Sequence, residues 1–253
     1  MTVHHGHRAR TILKIDPDAL ELLPLDLDPA AFQSALPLQH YHPIFEDDDI
    51  GLAVGVWDTT PMQEAFGPYP GDEFITVLDG QFAIVDANGA AVVGGQGQSA
   101  TFRNAIPVSW KQEGYLRKVY LTLQMPAAET PAIASATGGV RVINAGRTIA
   151  TPPGADGVAR DILFRNDAGT MTVTHCIWPA MTLPAGLAPA HELCRVLAGE
   201  ITLTEPGGHM HAFGPGSHFF VPREVACVRA TRAGTSALHV IVTAEPAAQR
   251  PAP

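Results

Sequence analysis

A repeat with a fixed spacing of 119 positions is the feature that most limits how this chain of 253 residues can fold. One copy reads DEFITVLDGQFAIVDANGAAVVGGQGQ from position 72, the other reads HELCRVLAGEITLTEPGGHMHAFGPGS from position 191, and the two align without a gap. Residues recurring at this spacing include Glu73 with Glu192, Val77 with Val196, Leu78 with Leu197, Gly80 with Gly199, Gly89 with Gly208 and Gly97 with Gly216. Since three of these pairs are glycines at turn positions, the repeat predicts two copies of one structural unit.

Each copy consists of short segments typical of β-strands. FITVL, QFAIV, CRVL, EITL and MTVTHCIW are rich in β-branched and aromatic residues, and turn residues follow many of them. QFAIV alternates with a period of two, as a strand with one buried face does. If a gap of two positions is allowed, Trp57 also corresponds to Trp178. Strands about ten residues apart predict an all-β chain of sandwiches or closed barrels.

The repeat and the composition divide the chain into five segments. We predict an N-terminal extension at 1–40, a barrel at 41–124, a linker at 125–140, a second barrel at 141–244 and a mobile tail at 245–253. The linker and the tail are rich in Ala and Pro and lack strand patterns. The HHGH sequence near the N-terminus is interpreted as part of a frayed terminus and not as a metal-binding tail.

Charge and composition exclude several classes of function. The net charge of −9, with 16 basic residues and no basic run, argues against a nucleic-acid partner, because binding phosphates requires clustered Lys and Arg. No apolar stretch is long enough to span a bilayer, and no secretory signal begins the sequence. Cys176, Cys194 and Cys227 form no C-x-x-C pair, so neither a disulfide scaffold nor a zinc knuckle is indicated. A cytoplasmic protein without a membrane partner is expected.

Two spaced motifs resemble those of the cupin superfamily. In the first motif a glutamate precedes a glycine by seven positions, as Glu73 and Glu192 do in the two copies. The second motif begins about seventeen residues later with a glycine, and it reads GSHFFVP in the second copy. The resemblance covers residues 50–122 well and 172–242 more loosely. It implies two RmlC-like jelly-roll β-barrels in one chain, an arrangement called a bicupin.

The first copy also resembles a narrower group, the ureidoglycine aminohydrolase-type cupins, which include an ethanolamine-utilisation cupin. The resembling segments are VGVWDTTP at 54–61 and YPGDEFITVLDG at 69–80, together with Trp110. This resemblance implies that the protein acts on, or binds, a small nitrogen-bearing metabolite.

The usual cupin metal ligands are largely missing. Cupins typically hold Mn, Fe, Ni or Zn with two histidines and the glutamate of the first motif and one histidine of the second. The resemblance places Gly67, Tyr69 and Val108 at the three histidine positions of the first copy, so only Glu73 is left. A catalytic metal usually needs three protein ligands. We therefore expect no metal in the first barrel and no cofactor in the protein.

The second copy keeps Glu192 but places Gly186, Ala188 and Cys227 at the histidine positions. One carboxylate and one thiol make a poor metal site. A Mn, Fe or Zn site reassembled from other histidines is the alternative. The histidines in this part of the chain include His175, His191, His211, His218 and His239. His191 adjoins Glu192 and should therefore point to the opposite face of the strand.

In the first barrel the resemblance assigns Trp57, Tyr69, Glu73 and Trp110 to the ligand-binding pocket. A carboxylate among aromatic rings favours a cationic or amine-bearing ligand. The alternative is that the tryptophans fill the core and that Glu73 accepts a hydrogen bond from a backbone amide.

In the second barrel the candidate binding residues are Glu192, Cys227 and Arg229. The spacing of 119 maps Trp110 onto Arg229, which shares a strand face with Cys227. An inward arginine needs a partner, so we predict an ion pair with Glu192. The alternative is a general base with a raised pKa. For Cys227, an inert thiol is favoured over a nucleophile activated by a neighbouring histidine.

Three classes of function follow from these patterns. The first is a metal-independent enzyme or binding protein for a small, nitrogen-bearing metabolite. The second is a metal-dependent aminohydrolase or dioxygenase with a rearranged site in the second barrel. The third is a non-catalytic sensor or assembly protein. A homodimer is compatible with each of them.

Overall fold

The computed structural model describes residues 11–124, 139–144, 146 and 148–245. The HHGH sequence, positions 125–138 of the predicted linker and the predicted tail beyond residue 245 lie outside these residues. Within the described part, the regular structure is antiparallel β-strand, apart from the short 3-10 helices Pro17–Ala19 and Pro29–Ala31. The all-β prediction is therefore confirmed.

The described residues form two compact units. The first unit contains those between positions 17 and 147, and the second contains residues 11–16 and those from 148 onward. Each unit has one large and one small antiparallel sheet.

The first unit contains twelve of the strands, numbered in chain order through the whole protein. They are β2 (Leu23–Pro24), β3 (Gln39–Asp47), β4 (Leu52–Thr59), β5 (Met62–Gln63), β6 (Gly67–Pro68), β7 (Asp72–Asp79), β8 (Gln81–Val85), β9 (Ala91–Gly95), β10 (Ser99–Phe102), β11 (Pro107–Gln112), β12 (Leu116–Leu123) and β13 (Val140–Ile143). Its large sheet has the order β13-β10-β7-β12-β4-β3-β2, and its small sheet has the order β5-β11-β8-β9, with β6 also paired to β11.

The second unit contains the remaining strands. They are β1 (Leu13–Ile15), β14 (Ala159–Arg165), β15 (Met171–Trp178), β16 (Met181–Leu187), β17 (His191–Ala198), β18 (Ile201–Thr204), β19 (Met210–Phe213), β20 (His218–Val221), β21 (Ala226–Thr231) and β22 (Thr235–Val242). Its large sheet has the order β1-β20-β17-β22-β15-β14, and its small sheet has the order β16-β21-β18-β19. Apart from the short strands β2 and β6, this is the strand order of the first unit.

The register of the strands also repeats. Glu73 pairs with Phe102 of β10, and Glu192 pairs with Val221 of β20 at the same spacing of 119. Backbone geometry explains why both copies of the repeat have a glycine after this strand, as Gly80 after β7 shows. Gly80 has a φ of 81°, and a Cβ there would lie 2.0 Å from a backbone carbonyl oxygen, so no other residue fits this turn.

Each core lies between the two sheets of its unit. In the first unit it contains a stack of aromatic rings among aliphatic residues, with Phe82 stacked on Trp110 at 4.8 Å between ring centroids and Phe102 stacked on the same ring at 5.5 Å. The core of the second unit contains fewer aromatic residues and includes the buried thiols of Cys176 and Cys194. Burying this apolar surface is the main force that stabilises each pair of sheets.

Two strands extend the units beyond the predicted boundaries. Leu13–Ile15 falls in the predicted extension but pairs with β20 of the second unit. Val140–Ile143 spans the predicted start of the second barrel but pairs with β10 of the first unit. Both segments are short and mostly apolar, with one basic residue each, and they supply hydrogen-bond partners to a strand that would otherwise be an open edge.

No helix among the described residues has the length and apolar character needed to cross a membrane.

Candidate functional site

In the first unit the carboxylate of Glu73 accepts hydrogen bonds from two other side chains. Lys118 on β12 donates from Nζ to Oε1 at 2.9 Å, and Tyr69 donates from Oη to Oε2. All three residues are buried. Burial raises the pKa of Tyr69 well above its usual value, and the charge of Glu73 and the hydrogen bond to it raise it further. The phenol therefore remains a hydrogen-bond donor at neutral pH.

Two tryptophan rings enclose the ammonium group of Lys118. Trp57 lies directly opposite Lys118 in the pairing of β4 with β12. The Nζ atom is 4.8 Å from the ring centroid of Trp57 and 4.7 Å from that of Trp110. The two rings meet edge to face, with their centroids 6.4 Å apart. Because ring faces attract cations, the ammonium is held by one carboxylate and two aromatic rings.

The structure thus brings together all four residues that the sequence assigned to the first site. Two side chains, and no backbone amide of the described residues, donate to Glu73, while its place in a ligand-binding pocket stays a prediction. One of these two donors is Lys118, which sequence reasoning missed. The signal was present in the strand LRKVYLTL, where Leu116, Lys118 and Tyr120 share one face and both flanking residues pack on the core.

Glu64 is a second residue that the sequence did not single out. Its side chain is half-buried, and its N–H donates to the carbonyl oxygen of Trp110 at 2.8 Å. Burial raises the pKa of its carboxyl to about 7. The positive charge of Lys118 opposes this rise, and the negative charge of Glu73 adds to it. A carboxyl of this kind exchanges protons near neutral pH.

In the second unit Glu192 has two cationic or potentially cationic partners. Arg229 donates from Nη2 to Oε2 at 2.5 Å, and Nε2 of His239 lies 3.1 Å from the same oxygen. The predicted ion pair is confirmed. Burial alone would raise the pKa of Glu192, but the hydrogen bond from His239 and the charge of Arg229 outweigh it and hold the pKa at about 2. A general base with a raised pKa is therefore wrong for this residue.

The thiols around this pair are not activated. Burial raises the pKa of Cys227 and raises that of Cys176 to about 12, and the charge of Arg229 offsets only part of the effect. The structure places Cys227 on the strand of Arg229, half-buried, where it packs against the core. A protonated thiol is a poor nucleophile, which supports the inert interpretation.

The side chains of the first unit do not match the metal ligands that the resemblance to cupins predicts. Gly67 and Val108 face each other across β6 and β11 and carry no donor atom. Tyr69 and Lys118 both donate hydrogen bonds to Glu73. An ammonium group so close to the carboxylate repels a divalent cation, so the residues present cannot replace the missing ligands.

The histidines of the second unit do not regroup around Glu192. His175, His191 and His218 lie on the opposite face of the large sheet, as strand alternation requires. Of the histidines that the structure describes, His239 is the one seen in contact with the carboxylate. Among the described residues, no group of three His, Cys, Asp or Glu side chains is close enough to hold a metal ion.

Solved structures share this fold at low sequence identity. A protein of unknown function from Pseudomonas syringae pv. tomato gives a TM-score of 0.70 at 16% identity, covering 92% of this chain and 99% of its own. A candidate dioxygenase from Nostoc punctiforme gives 0.64 at 11%, covering 96% and 88%. A Cupin 2 conserved barrel domain protein from Leptotrichia buccalis gives 0.58 at 12%, covering 89% and 99%.

No protein-family model matches the sequence, and no curated protein matches it significantly. Likeness at such low identity shows the fold alone. The two pairs of antiparallel sheets and the likeness to these structures together show that the chain has the cupin fold, with its jelly-roll units of β-strands.

Proposed function

We propose that the interior of the first unit is a small-molecule site that works without the usual cupin metal, and that it binds or converts a small, nitrogen-bearing metabolite. The observation that carries this proposal is the Lys118 ammonium group. It has three N–H donors but a single hydrogen-bond acceptor, Glu73, among the residues that the structure describes. The remaining donors suit a ligand oxygen.

A purely structural role accounts poorly for this arrangement. Burying an ion pair costs desolvation free energy that an apolar pair of equal volume avoids, so such a pair is weak evidence for stability. Here the ammonium also lies between two tryptophan rings, of which Trp57 is half-buried. A few polar groups converging among aromatic side chains are typical of small-molecule sites.

The side chain of Glu64 is the reason to expect a nitrogen-bearing ligand. Its carboxyl receives no hydrogen bond from the described residues, and it is electrostatically coupled to Lys118 and Glu73. It is therefore the carboxyl of the cluster that is left to accept an N–H donor. The resemblance of the first copy to the ureidoglycine aminohydrolase-type cupins favours the same class of ligand.

We assign the ligand to the first unit and not to the second. Glu192 is contacted by both Arg229 and His239, and its low pKa is typical of a structural ion pair, although the buried Nε of Arg229 has no hydrogen-bond partner among the described residues. Cys227 adds an unactivated thiol. The carboxylate of the second unit therefore already has two partners, whereas the carboxyl of Glu64 in the first unit accepts no hydrogen bond from the described residues.

A thermal-shift screen with small amines, amides and carboxylates tests the proposal. We expect some compounds to raise the melting temperature of the wild type and to lose this effect in Lys118→Met. Lys111→Met is the matched control, because the Lys111 side chain on β11 is partly exposed, is paired with Glu113 and should leave the shifts intact. Shifts that persist in Lys118→Met but vanish in Arg229→Met would move the site to the second unit.

The same preparations separate the other classes of function. Near-stoichiometric Mn, Fe or Zn that is lost in Glu192→Gln would support the metal-dependent alternative. No shift with any compound, together with no bound metal, would support a sensor or assembly protein instead.

A further inference from the structure

Glu64 is directed into the first unit by its place beside β5. In the pairing of β5 with β11, Gln112 is opposite Met62 and Lys111 is opposite Gln63, which places Trp110 opposite Glu64. The hydrogen bond from the N–H of Glu64 to the carbonyl of Trp110 continues this pairing. Residues that pair in this way share a face of the sheet. Since Met62 and Trp110 are core residues, Glu64 projects toward the same interior.

The charged and titratable groups that face Glu64 come from three parts of the unit. They are Lys118 on β12, Glu73 on β7 and Tyr69 before β7, and each is electrostatically coupled to Glu64. With Lys118 protonated and Glu73 ionised, the cluster is neutral when Glu64 is protonated and carries one negative charge when it is not. The protonation of Glu64 therefore sets the charge that a ligand meets.

We propose that the ligand of this site is a small carboxylate that accepts hydrogen bonds from those N–H donors of Lys118 that do not bond to Glu73, and that Glu64 takes up a proton from solvent when the ligand binds. This inference rests on the proposed function and specifies the ligand class and the proton-exchanging residue. It also explains why a buried lysine is placed between two aromatic rings and yet has only one acceptor.

Proton uptake follows from the electrostatics of the cluster. A ligand carboxylate beside Lys118 adds a negative charge near Glu64 and offsets the lysine charge that favours its ionised form. The pKa of Glu64, about 7 without ligand, should then rise. Because this pKa lies near neutrality, some of the molecules have an ionised Glu64 at pH 7, and binding should take up a fraction of a proton. The uptake should grow as the pH rises from 6 to 8.

Isothermal titration calorimetry of the full chain with sodium benzoate and with N-acetylglycine tests this coupling. Titrations in phosphate and in Tris at equal pH give the number of protons exchanged, because the two buffers differ in their heat of ionisation. We expect the uptake to be lost in Glu64→Gln and retained in Glu113→Gln, whose side chain is 88% exposed on the turn after β11. Lys118→Met should weaken binding about tenfold or more, as loss of a charge-assisted hydrogen bond does.

The possible results distinguish a wrong role for Glu64, a wrong class of ligand and the absence of a binding site. Binding that depends on Lys118 but exchanges no proton, or exchanges the same number in Glu64→Gln, would overturn the role of Glu64 and leave the site intact. If amines or amides shift the melting temperature through Lys118 while neither carboxylate binds, the ligand class is wrong. Loss of ligand binding altogether would reject the site itself.

Discussion

Arg229 of the second unit occupies the register position that Trp110 has in the first unit. Ala237 likewise takes the position of Lys118. The two glutamates of the repeat are therefore paired with cations from different strands, β12 in the first unit and β21 in the second. Because the two ion pairs are built differently, each can be tested without disturbing the other.

Glu73→Gln should destabilise the first unit. It leaves the Lys118 ammonium buried opposite a neutral amide, and breaking a buried pair in this way costs about 3 kcal/mol or more. Lys118→Met in the same chain should recover part of the loss, because it removes the stranded charge. Urea denaturation of the single and double variants measures both effects. An unchanged free energy of unfolding in Glu73→Gln would show that the pair contributes nothing.

The ion pair of Glu192 with Arg229 should make the protein less stable as the pH falls. The pKa of this carboxyl is about 2 in the folded protein, against 4.5 for an ordinary glutamate. Between these values the unfolded chain binds more protons, so stability falls as the pH falls through this range. The contribution above pH 5 is about 3 kcal/mol. Denaturation of wild type and Glu192→Gln should show a gap that narrows from pH 5 to pH 2, and a constant gap would contradict the low pKa.

Glu64 should make stability depend on pH in the opposite direction to Glu192. Its pKa is raised from 4.5 to about 7, so the folded protein binds more protons than the unfolded chain between these values, and stability falls as the pH rises. Glu64→Gln should therefore be more stable than the wild type at pH 8, by about 3 kcal/mol at most, and nearly equal to it at pH 4. Carbon NMR of the labelled carboxyl should show its titration midpoint near 7. A midpoint near 4 would contradict both expectations.

The three cysteines should react slowly in the folded protein. Burial raises the pKa of Cys176, Cys194 and Cys227, so little thiolate is present at pH 8. Ellman's reagent should label Cys227 first, since it is the half-buried one, and should label all three rapidly only after unfolding. Immediate labelling of Cys227 in the native state would reopen its assignment as a nucleophile.

Much of the fold could be predicted because the repeat records local requirements. Turn glycines such as Gly80 are required by backbone geometry, and alternation in QFAIV gives the buried Phe82 and Ile84 directly. The strands Leu13–Ile15 and Val140–Ile143 could not be placed in this way. Their partners are set by which sheet edge is open, and this depends on the whole fold.

The site was predictable to the extent that it lies within the repeated motifs. Trp57, Tyr69, Glu73 and Trp110 are all brought together. Lys118 was overlooked because a lysine in a strand is expected to face solvent, although its position between Leu116 and Tyr120 indicates the inner face. Glu64 was beyond sequence reasoning, since its direction depends on the pairing of a two-residue strand with β11.

The place of β1 has a consequence for folding during synthesis. This strand precedes the first unit in the chain, but its partner β20 follows about 200 residues later. The large sheet of the first unit lacks nothing once β13 has emerged, so that unit can fold while the second is still being made. During this interval β1 has no partner in its own sheet, so it can join the second unit only after β20 has been synthesised.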